Sequence, residues 1–405
     1  MRVESVLSRP VGDERELRAE VVFEGDPETR RTLWFRHPDA GELAAAGDPF
    51  LAALLVPAMA LNEDLQIDAP ISLPLLEAAR KRIGPVMLGW FPDFAEVSIG
   101  CSRVVDPVPP VASDGIGSFF SGGVDSWYSL LTRRAEISHV IFLHGFEIDV
   151  DDTALATVAR ENIASSARDL GKTVLPITSN VKRVAEGETR ARLRRLGRER
   201  WSFFSSCYFG SMLVACGLCL APPLRRVIVP GSWSEGAVGS AGSHPLIEPN
   251  WSTPAVGFDL DGLRANRIDK IRSIAELDPG AFRRLRVCVG RPTEGLNCGR
   301  CFKCIRNQLE LRVAGALDLG ARFQHPLDME EAKIARIVVD DALWSDLIRE
   351  AEAIGDVEVA DAARIIIGQR FLWRRFVEGL RMRMTGAGRK TLRHVRLYAN
   401  EHRHA

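Results

Sequence analysis

A run of six residues, S-G-G-V-D-S at positions 121–126, lies between a short apolar strand pattern at 116–120 and a helical pattern at 126–133. Gly122 and Gly123 allow the backbone to curl around an anion without Cβ clashes. The loop amides and the following helix N-terminus then favour negative charge, and Ser121 and Ser126 add hydroxyl donors. Asp125 is suited to hold Mg²⁺ between phosphates or to cap the helix. An ordinary glycine-rich turn is the alternative. Residues 121–126 are called the phosphate loop below.

Strand and helix patterns alternate after this loop. Strands are indicated at residues 139–144, 173–178 and 226–230, and helices at 154–170 and 199–220. This alternation is typical of a parallel sheet with helices on both faces. We therefore predict an α/β domain over residues 115–310. Strand patterns nearly disappear beyond residue 309, and residues 311–405 are predicted to form a helical C-terminal region.

The first 105 residues have a different pattern. Two strands of a hairpin are indicated at 17–23 and 32–36, helices at 50–61 and 75–83, and a further strand at 96–104. No catalytic constellation is found there, so residues 1–105 are interpreted as a small accessory α+β domain. Residues 106–114 contain three prolines, which predicts a stiff extended linker between the two domains.

The overall composition excludes several classes of protein. The chain has 405 residues, with 53 basic and 53 acidic side chains, and 46% hydrophobic residues. These values argue against disorder and against an all-over nucleic-acid or membrane binder. No apolar stretch is long enough for a membrane span or typical of a secretory leader. The chain is therefore predicted to be soluble and cytoplasmic, where clustered cysteines indicate metal binding or catalysis.

Four of the eight cysteines are clustered near residue 300, with spacings of nine, two and two residues. Four thiolates can close a tetrahedral zinc site, and two-residue spacing is common among zinc ligands. Gly299 suits a tight turn between the ligands. An iron–sulfur cluster and unrelated core cysteines are the alternatives. The predicted zinc ligands are Cys288, Cys298, Cys301 and Cys304.

The phosphate loop resembles the PP-loop of the N-type ATP pyrophosphatase superfamily, and this chain has the complete S-G-G-x-D-S motif of that loop. The resemblance implies an adenine nucleotide α-hydrolase-like fold, Mg²⁺, and ATP cleavage between the α and β phosphates. A substrate oxygen would be adenylylated while the loop holds pyrophosphate. It also implies that adenine lies near residues 142–144, where His144 is either close to the nucleotide or an ordinary core histidine.

The loop and the cysteine cluster together resemble the 7-cyano-7-deazaguanine synthases over roughly residues 114–310. This chain is longer at both ends, and is more similar to larger synthase-like proteins of bacterial defence and biosynthetic operons. Residues 231–252 replace the synthases' aspartate-containing substrate segment. Ligands lie at the carboxyl ends of strands in such sheets, so this segment is predicted to face the phosphate loop unless it is a flexible surface loop. Its predicted substrate residues are Trp233, Glu235, His244 and Trp251.

A short basic stretch at residues 264–271 resembles the superfamily motif that opens a helix and reaches the triphosphate. Arg267 and Lys270 are predicted to neutralise charge on pyrophosphate. A solvated helix face is the alternative. Residues 370–403 are also rich in arginine, which suits either an RNA or protein partner or an amphipathic helix covering apolar surface.

Two functional hypotheses follow. The first is an ATP-dependent ligase that adenylylates a small carboxylic acid, such as a 7-deazaguanine acid, and transfers it to a nitrogen nucleophile. Its cofactors are Mg²⁺ and Zn²⁺, its partners are ATP and the acid, and a homodimer is compatible with it. The second is a zinc-containing module that binds tRNA or a protein partner and uses the PP-loop fold as a scaffold.

Overall fold

The structure, a computed structural model, describes residues 1–38, 43–106, 114–199, 202–220, 223–235, 239–290, 292–334 and 341–368. The chain divides into two compact units. The first unit comprises residues 1–121 and 125–264, and the second comprises residues 122–124 and 265–405. Most of the predicted linker at 106–114, and the basic segment at 370–403, lie outside the described residues.

The first unit contains one mostly parallel sheet of ten strands in the described part of the chain. Its order is β10-β9-β6-β7-β8-β3-β2-β1-β4-β5. Strands β10 to β8 in this order run parallel, β8-β3-β2-β1 run antiparallel, and β1-β4-β5 run parallel again. The strands are β1 (Arg2–Val11), β2 (Glu14–Phe23), β3 (Asp26–Pro38), β4 (Leu65–Ser72), β5 (Ile99–Val105), β6 (Gly115–Phe119), β7 (His139–His144), β8 (Thr173–Ser179), β9 (Leu224–Pro230) and β10 (Gly257–Asp261).

Helices flank this sheet, and the second unit is helical. The first unit contains α1 (Asp48–Leu61), α2 (Leu73–Ala78), α3 (Gly84–Trp90), α4 (Val124–Thr132), α5 (Thr153–Leu170), α6 (Glu188–Arg195) and α7 (Phe209–Leu218). The second contains α8 (Arg267–Leu277), α9 (Phe302–Val313), α10 (Met329–Ile334) and α11 (Asp341–Ala353), followed by helical residues 357–368. The predicted α/β class with additional C-terminal helices is confirmed.

Two predicted helices differ in detail from the structure. The helix expected at 75–83 is divided between α2 and a π-helical turn at Ala79–Ile83, and α3 follows directly from Gly84. The helix expected at 199–220 consists of a π-helical turn at Phe203–Tyr208 followed by the shorter α7. Both segments have continuous helical spacing of apolar residues. This spacing alone does not distinguish a regular α-helix from a helix that contains a π-helical turn.

The N-terminal strands continue the same sheet instead of forming a sheet of their own. Phe35 of β3 pairs with Ser179 of β8 in antiparallel register. Asn180 extends this short pairing, because its Oδ1 accepts from the Trp34 amide at 2.9 Å and its Nδ2 donates to the Thr32 carbonyl at 2.8 Å. The α+β content expected for residues 1–105 is present, but it belongs to the first compact unit together with β6–β10.

Helix α1 is buried along its whole length and contains Pro57. Proline has no amide hydrogen, so the carbonyl four residues earlier, at Ala53, loses its usual helical donor. The hydroxyl of the buried Tyr208 donates to this Ala53 carbonyl at 2.6 Å. A buried acceptor without a donor is costly, so Tyr208 makes a proline tolerable at this position in an apolar helix.

We expect Tyr208→Phe to lower the free energy of unfolding by about 1–3 kcal/mol, since it leaves the Ala53 carbonyl buried without its donor. Pro57→Ala restores an amide that can reach that carbonyl. In the Pro57→Ala background, the same Tyr208→Phe change should therefore cost clearly less. Urea unfolding of the four proteins measures this difference, and equal costs in both backgrounds would contradict the assigned role of Tyr208.

Candidate phosphate loop and metal centre

The phosphate loop lies where the strand order of the sheet reverses. After β6 the chain continues to β7 and β8 on one side, whereas β9 and β10 lie on the other side of β6. In open α/β sheets, ligands bind outside the carboxyl ends of strands at such a reversal. The loop follows the carboxyl end of β6 and leads into α4, and Gly231 follows the carboxyl end of β9. The prediction that the loop connects a strand to a helix is confirmed.

Asp125 lies in the first turn of α4 and is half-buried. The hydroxyl of Ser232 donates to its Oδ2 at 2.8 Å. This hydrogen bond joins the segments that follow β6 and β9, and it fixes the direction of the carboxylate. Ser126 is buried and Ser121 is exposed. Ser232 was not among the predicted site residues, and its only signal in the sequence is its position just after a predicted strand.

Gly122 is held by backbone contacts within the second unit. Its φ of +80° lies in the left-handed region, which glycine adopts without a steric penalty. Its carbonyl accepts a hydrogen bond from the Arg286 amide at 2.8 Å. A Cβ at this position would lie 3.4 Å from the Arg286 Cβ and 3.6 Å from the Arg284 carbonyl oxygen. The segment containing two arginines therefore packs closely against the glycine of the loop.

The four clustered cysteines converge on one point. Their sulfur atoms all lie within 4.8 Å of one another. The Sγ atoms of Cys288 and Cys301 are 3.8 Å apart, and those of Cys298 and Cys304 are 3.9 Å apart. A tetrahedral ion with metal–sulfur bonds of about 2.3 Å would separate its ligands by about 3.8 Å. The cluster can therefore hold one metal ion.

The local backbone explains this convergence. The amides of Cys298 and Cys301 donate to the sulfur atoms of Cys288 and Cys298 at 3.5 and 3.2 Å. Gly299 has a φ of +82°, and a Cβ there would lie 2.0 Å from the His325 carbonyl oxygen. Only glycine fits this turn. Residues 297–301 are called the knuckle below.

Hydrogen bonds among the four adjacent sulfur groups favour the thiolate form in two of them. A hydrogen bond from Cys288 lowers the pKa of Cys298 to about 6. Hydrogen bonds from the neighbouring cysteines also lower the pKa of Cys301. The same contacts raise the pKa values of Cys288 and Cys304. Thiolates are the form that binds metals, and a bound cation would favour this form in all four.

Arg267 and Lys270 lie in the helix that the sequence predicted. Asn266 caps α8 by accepting hydrogen bonds from two amides in its first turn. Arg267 is 5% exposed, and its guanidinium contacts the Glu310 carboxylate at 3.0 Å and the Asn307 side-chain oxygen at 2.8 Å. Lys270 is fully buried. Neither side chain lies on a solvated face, so that alternative is wrong, and Arg267 has a buried ion pair within the second unit.

Two predicted substrate residues lie directly after β9. Trp233 is half-buried, whereas Glu235 is exposed and its amide donates to the Leu263 carbonyl at 2.7 Å. His144, at the carboxyl end of β7, is buried, and its Nε2 lies 3.0 Å from the Asp149 carbonyl. Because a carbonyl only accepts, this nitrogen carries the proton and holds the loop after β7.

The other two predicted substrate residues have different neighbours. The ring of His244 packs edge-on against Trp90 with centroids 4.7 Å apart. Trp251 is fully buried, and its Nε1 donates to the Ser211 hydroxyl at 3.3 Å. A fully buried indole has no open face on which a planar ligand could stack. The structure therefore places Trp251 in the core and His244 against α3.

Glu248 is a buried carboxyl group beside these residues. Its side chain is fully buried. It accepts one hydrogen bond from the Ser243 hydroxyl and another, at 2.9 Å, from the His244 amide. Burial raises the pKa of Glu248 to about 7 in spite of these hydrogen bonds, which act in the opposite direction. Its protonation state therefore changes near neutral pH.

Because the folded protein holds the Glu248 proton more tightly than the unfolded chain, the contribution of Glu248 to stability is greatest below pH 4.5. It is lost as the pH rises from 4.5 to about 7. The loss is on the order of 3 kcal/mol at most. Glu248→Gln should flatten this decline in the free energy of unfolding, measured by urea unfolding at a series of pH values. An unchanged slope in the variant would contradict the assignment.

Comparison of the chain with protein-family models, with curated proteins and with solved structures found no match. Among the described residues, no helix combines the length and the apolar character needed to cross a membrane. The features that bear on function are therefore the phosphate loop, its contacts and the cysteine cluster.

Proposed function

We propose that this chain is an ATP-dependent carbon–nitrogen ligase of the PP-loop type. The observation that carries the proposal is the phosphate loop at the strand-order reversal, with the Asp125 carboxylate held by the Ser232 hydroxyl at 2.8 Å. A loop of this composition before a helix favours phosphate, and an oriented carboxylate beside it suits Mg²⁺ rather than direct contact with an anion.

The reaction has two steps. A carboxylate oxygen of the substrate attacks the α-phosphorus of ATP, the bond between the α-phosphorus and the bridging oxygen breaks, and pyrophosphate leaves. A nitrogen nucleophile then attacks the acyl carbon, loses a proton, and displaces AMP together with the carboxylate oxygen that attacked first. Such chemistry is favoured mainly by alignment of the reactants and by stabilisation of the charge on pyrophosphate.

Residues of the loop would take most of the phosphate contacts. The amides of Gly122 and Gly123 and the hydroxyls of Ser121 and Ser126 are the donors that we assign to pyrophosphate. Asp125 would hold Mg²⁺, which neutralises phosphate charge. The amide and Cβ of Arg286 lie against the loop glycine within the second unit. We add Arg286 as a source of positive charge, in preference to Arg267 with its buried partner Glu310.

The acid is assigned to the segment after β9. Trp233 is half-buried, and its ring can cover a planar acid such as a 7-deazaguanine acid, while the exposed Glu235 can accept from its polar edge. His144, at the end of β7, remains the residue assigned to the adenine side. Trp251 and His244 are left out of this assignment, because the core and Trp90 occupy them.

We assign zinc to the cysteine cluster. Four thiolates at the spacing of a single tetrahedral ion are a donor set that zinc occupies in structural sites. In an iron–sulfur cluster with several irons, the cysteines bind different irons and lie farther apart than ligands of one ion. A structural zinc supplies folding free energy and takes no part in the transfer reaction.

The purified full-length protein should contain about one zinc per chain, measured by elemental analysis. Cys304→Ser removes a ligand and should lower both the zinc content and the thermal stability, because metal binding is coupled to folding. Cys101→Ser is the matched control, since Cys101 lies in β5 outside the cluster, and it should retain zinc. Iron with visible absorbance in the purified protein would contradict the assignment.

Asp125→Asn should reduce AMP formation from ATP and a planar acid by about 100-fold or more, if the carboxylate organises the charge on phosphate. Ser232→Ala should reduce AMP formation by about tenfold, because this substitution removes the hydrogen bond that orients the Asp125 carboxylate but leaves the carboxylate itself in place. AMP is followed by mass spectrometry with a panel of acids, including 7-deazaguanine acids, and with ammonia as the nucleophile.

Asp261→Asn is the matched control for this series. Asp261 ends β10 and accepts from the Ser129 hydroxyl at 2.6 Å, so it is a second serine–aspartate pair at the same edge of the sheet but outside the loop. Its replacement should affect stability more than AMP formation. Full activity of the Asp125→Asn protein would contradict the role of Asp125. Absence of ATP and pyrophosphate binding by the wild-type protein would contradict the proposed function.

A further inference from the structure

Asn297 is a buried knuckle residue whose side chain binds an extended backbone segment. Its Oδ1 accepts from the Val287 amide at 2.8 Å, and its Nδ2 donates to the Leu285 carbonyl at 2.7 Å. The same Nδ2 donates to the Arg322 carbonyl at 3.0 Å. The side chain is 2% exposed, so water does not compete for these bonds. Asn297 therefore pairs with residues 285 and 287 as a neighbouring strand would.

The residues on either side of this pairing are metal ligands. Cys288 follows Val287 and Cys298 follows Asn297. The Cys298 amide donates to the Cys288 sulfur at 3.5 Å, beside the amide pairing of the preceding residues. An ion that holds Cys288 and Cys298 together therefore also holds Asn297 opposite residues 285–287.

The opposite edge of the same segment faces the phosphate loop. In an extended segment, the polar backbone groups of one residue point away from those of its two neighbours. The Leu285 carbonyl and the Val287 amide form hydrogen bonds with the Asn297 side chain. The Arg286 amide, on the opposite edge, donates to the Gly122 carbonyl at 2.8 Å. Residues 285–287 thus lie between the knuckle and the loop, and all of these residues belong to the second compact unit.

We propose that Asn297 is a positioning residue through which the metal centre fixes the backbone of the phosphate loop. The metal holds the knuckle, Asn297 holds residues 285–287, and the Arg286 amide holds the Gly122 carbonyl. Because the Gly122 carbonyl and the Gly123 amide share one planar peptide group, fixing the carbonyl also fixes the direction of the Gly123 N–H. The ligand effect rests on the proposed phosphate-binding function, whereas the backbone coupling does not.

The coupling is tested by hydrogen–deuterium exchange on the full-length protein with its metal bound. Asn297→Ala should retain the metal, measured by elemental analysis, and should accelerate exchange in the peptides that contain residues 122–125 and 284–287 by about tenfold or more. Removal of the metal from the wild-type protein with a chelator, at a temperature where the protein stays folded, should accelerate exchange in the same two peptides.

Gln308→Ala is the matched control. Gln308 is also a buried amide, 1% exposed, and its Nε2 donates to the Gly299 carbonyl at 2.9 Å on the other arm of the knuckle. Its loss should reduce thermal stability to a similar extent but leave exchange at residues 122–125 unchanged. This comparison separates a positioning role from general destabilisation.

Calorimetry with ATP and with inorganic pyrophosphate gives the functional result. The dissociation constants should rise about tenfold in Asn297→Ala and remain unchanged in Gln308→Ala. If the wild-type protein binds neither ligand, the proposed function fails, while the exchange data still decide on the coupling. Unchanged exchange at residues 122–125, both in Asn297→Ala and after metal removal, would overturn the proposal.

Discussion

The antiparallel pairing of β3 with β8 is the constraint on which the first unit depends. Without it, the parallel strands would end in an open edge at β8, and the N-terminal strands would end in another at β3. Open edges leave a row of backbone groups unpaired. Phe35 pairs with Ser179, and the Ser179 hydroxyl also donates to the Trp34 carbonyl at 2.7 Å. One short strand pairing therefore joins the two sets of strands into a single sheet of ten strands.

Two asparagines, the half-buried Asn180 and the buried Asn297, pair with extended backbone in different parts of the molecule. Asn180 accepts from one backbone amide and donates to the carbonyl two residues earlier on β3, and Asn297 does the same on residues 285–287. A side-chain amide presents a carbonyl oxygen and an N–H group arranged as in a peptide group, so it can replace a strand neighbour where no strand is present. Both the sheet and the surroundings of the loop depend on this replacement.

The sequence predicted the parallel part of the fold and the parts of the site that consist of local motifs. The strands around the phosphate loop, its position before α4, the start of α8 and the four cysteines all have signals within a few residues. Long-range partners have no such signal. The contacts of Gly122 with Arg286, of Asp125 with Ser232, and of Arg267 with Glu310 join residues that are far apart in sequence. The prediction of Trp251 as a substrate residue was wrong, because the neighbouring residues in the sequence do not show whether an aromatic side chain in a polar segment lies in the core or lines a pocket.

The hydrogen bond between Tyr208 and the Ala53 carbonyl also constrains the order of folding during synthesis. The two residues are 155 positions apart, so α1 leaves the ribosome long before its missing donor is made. Until then, the Ala53 carbonyl must bind water, and α1 lacks the later helix α7, against which it packs in the folded protein. Helix α1 therefore completes its hydrogen bonding only after a segment that is synthesised much later.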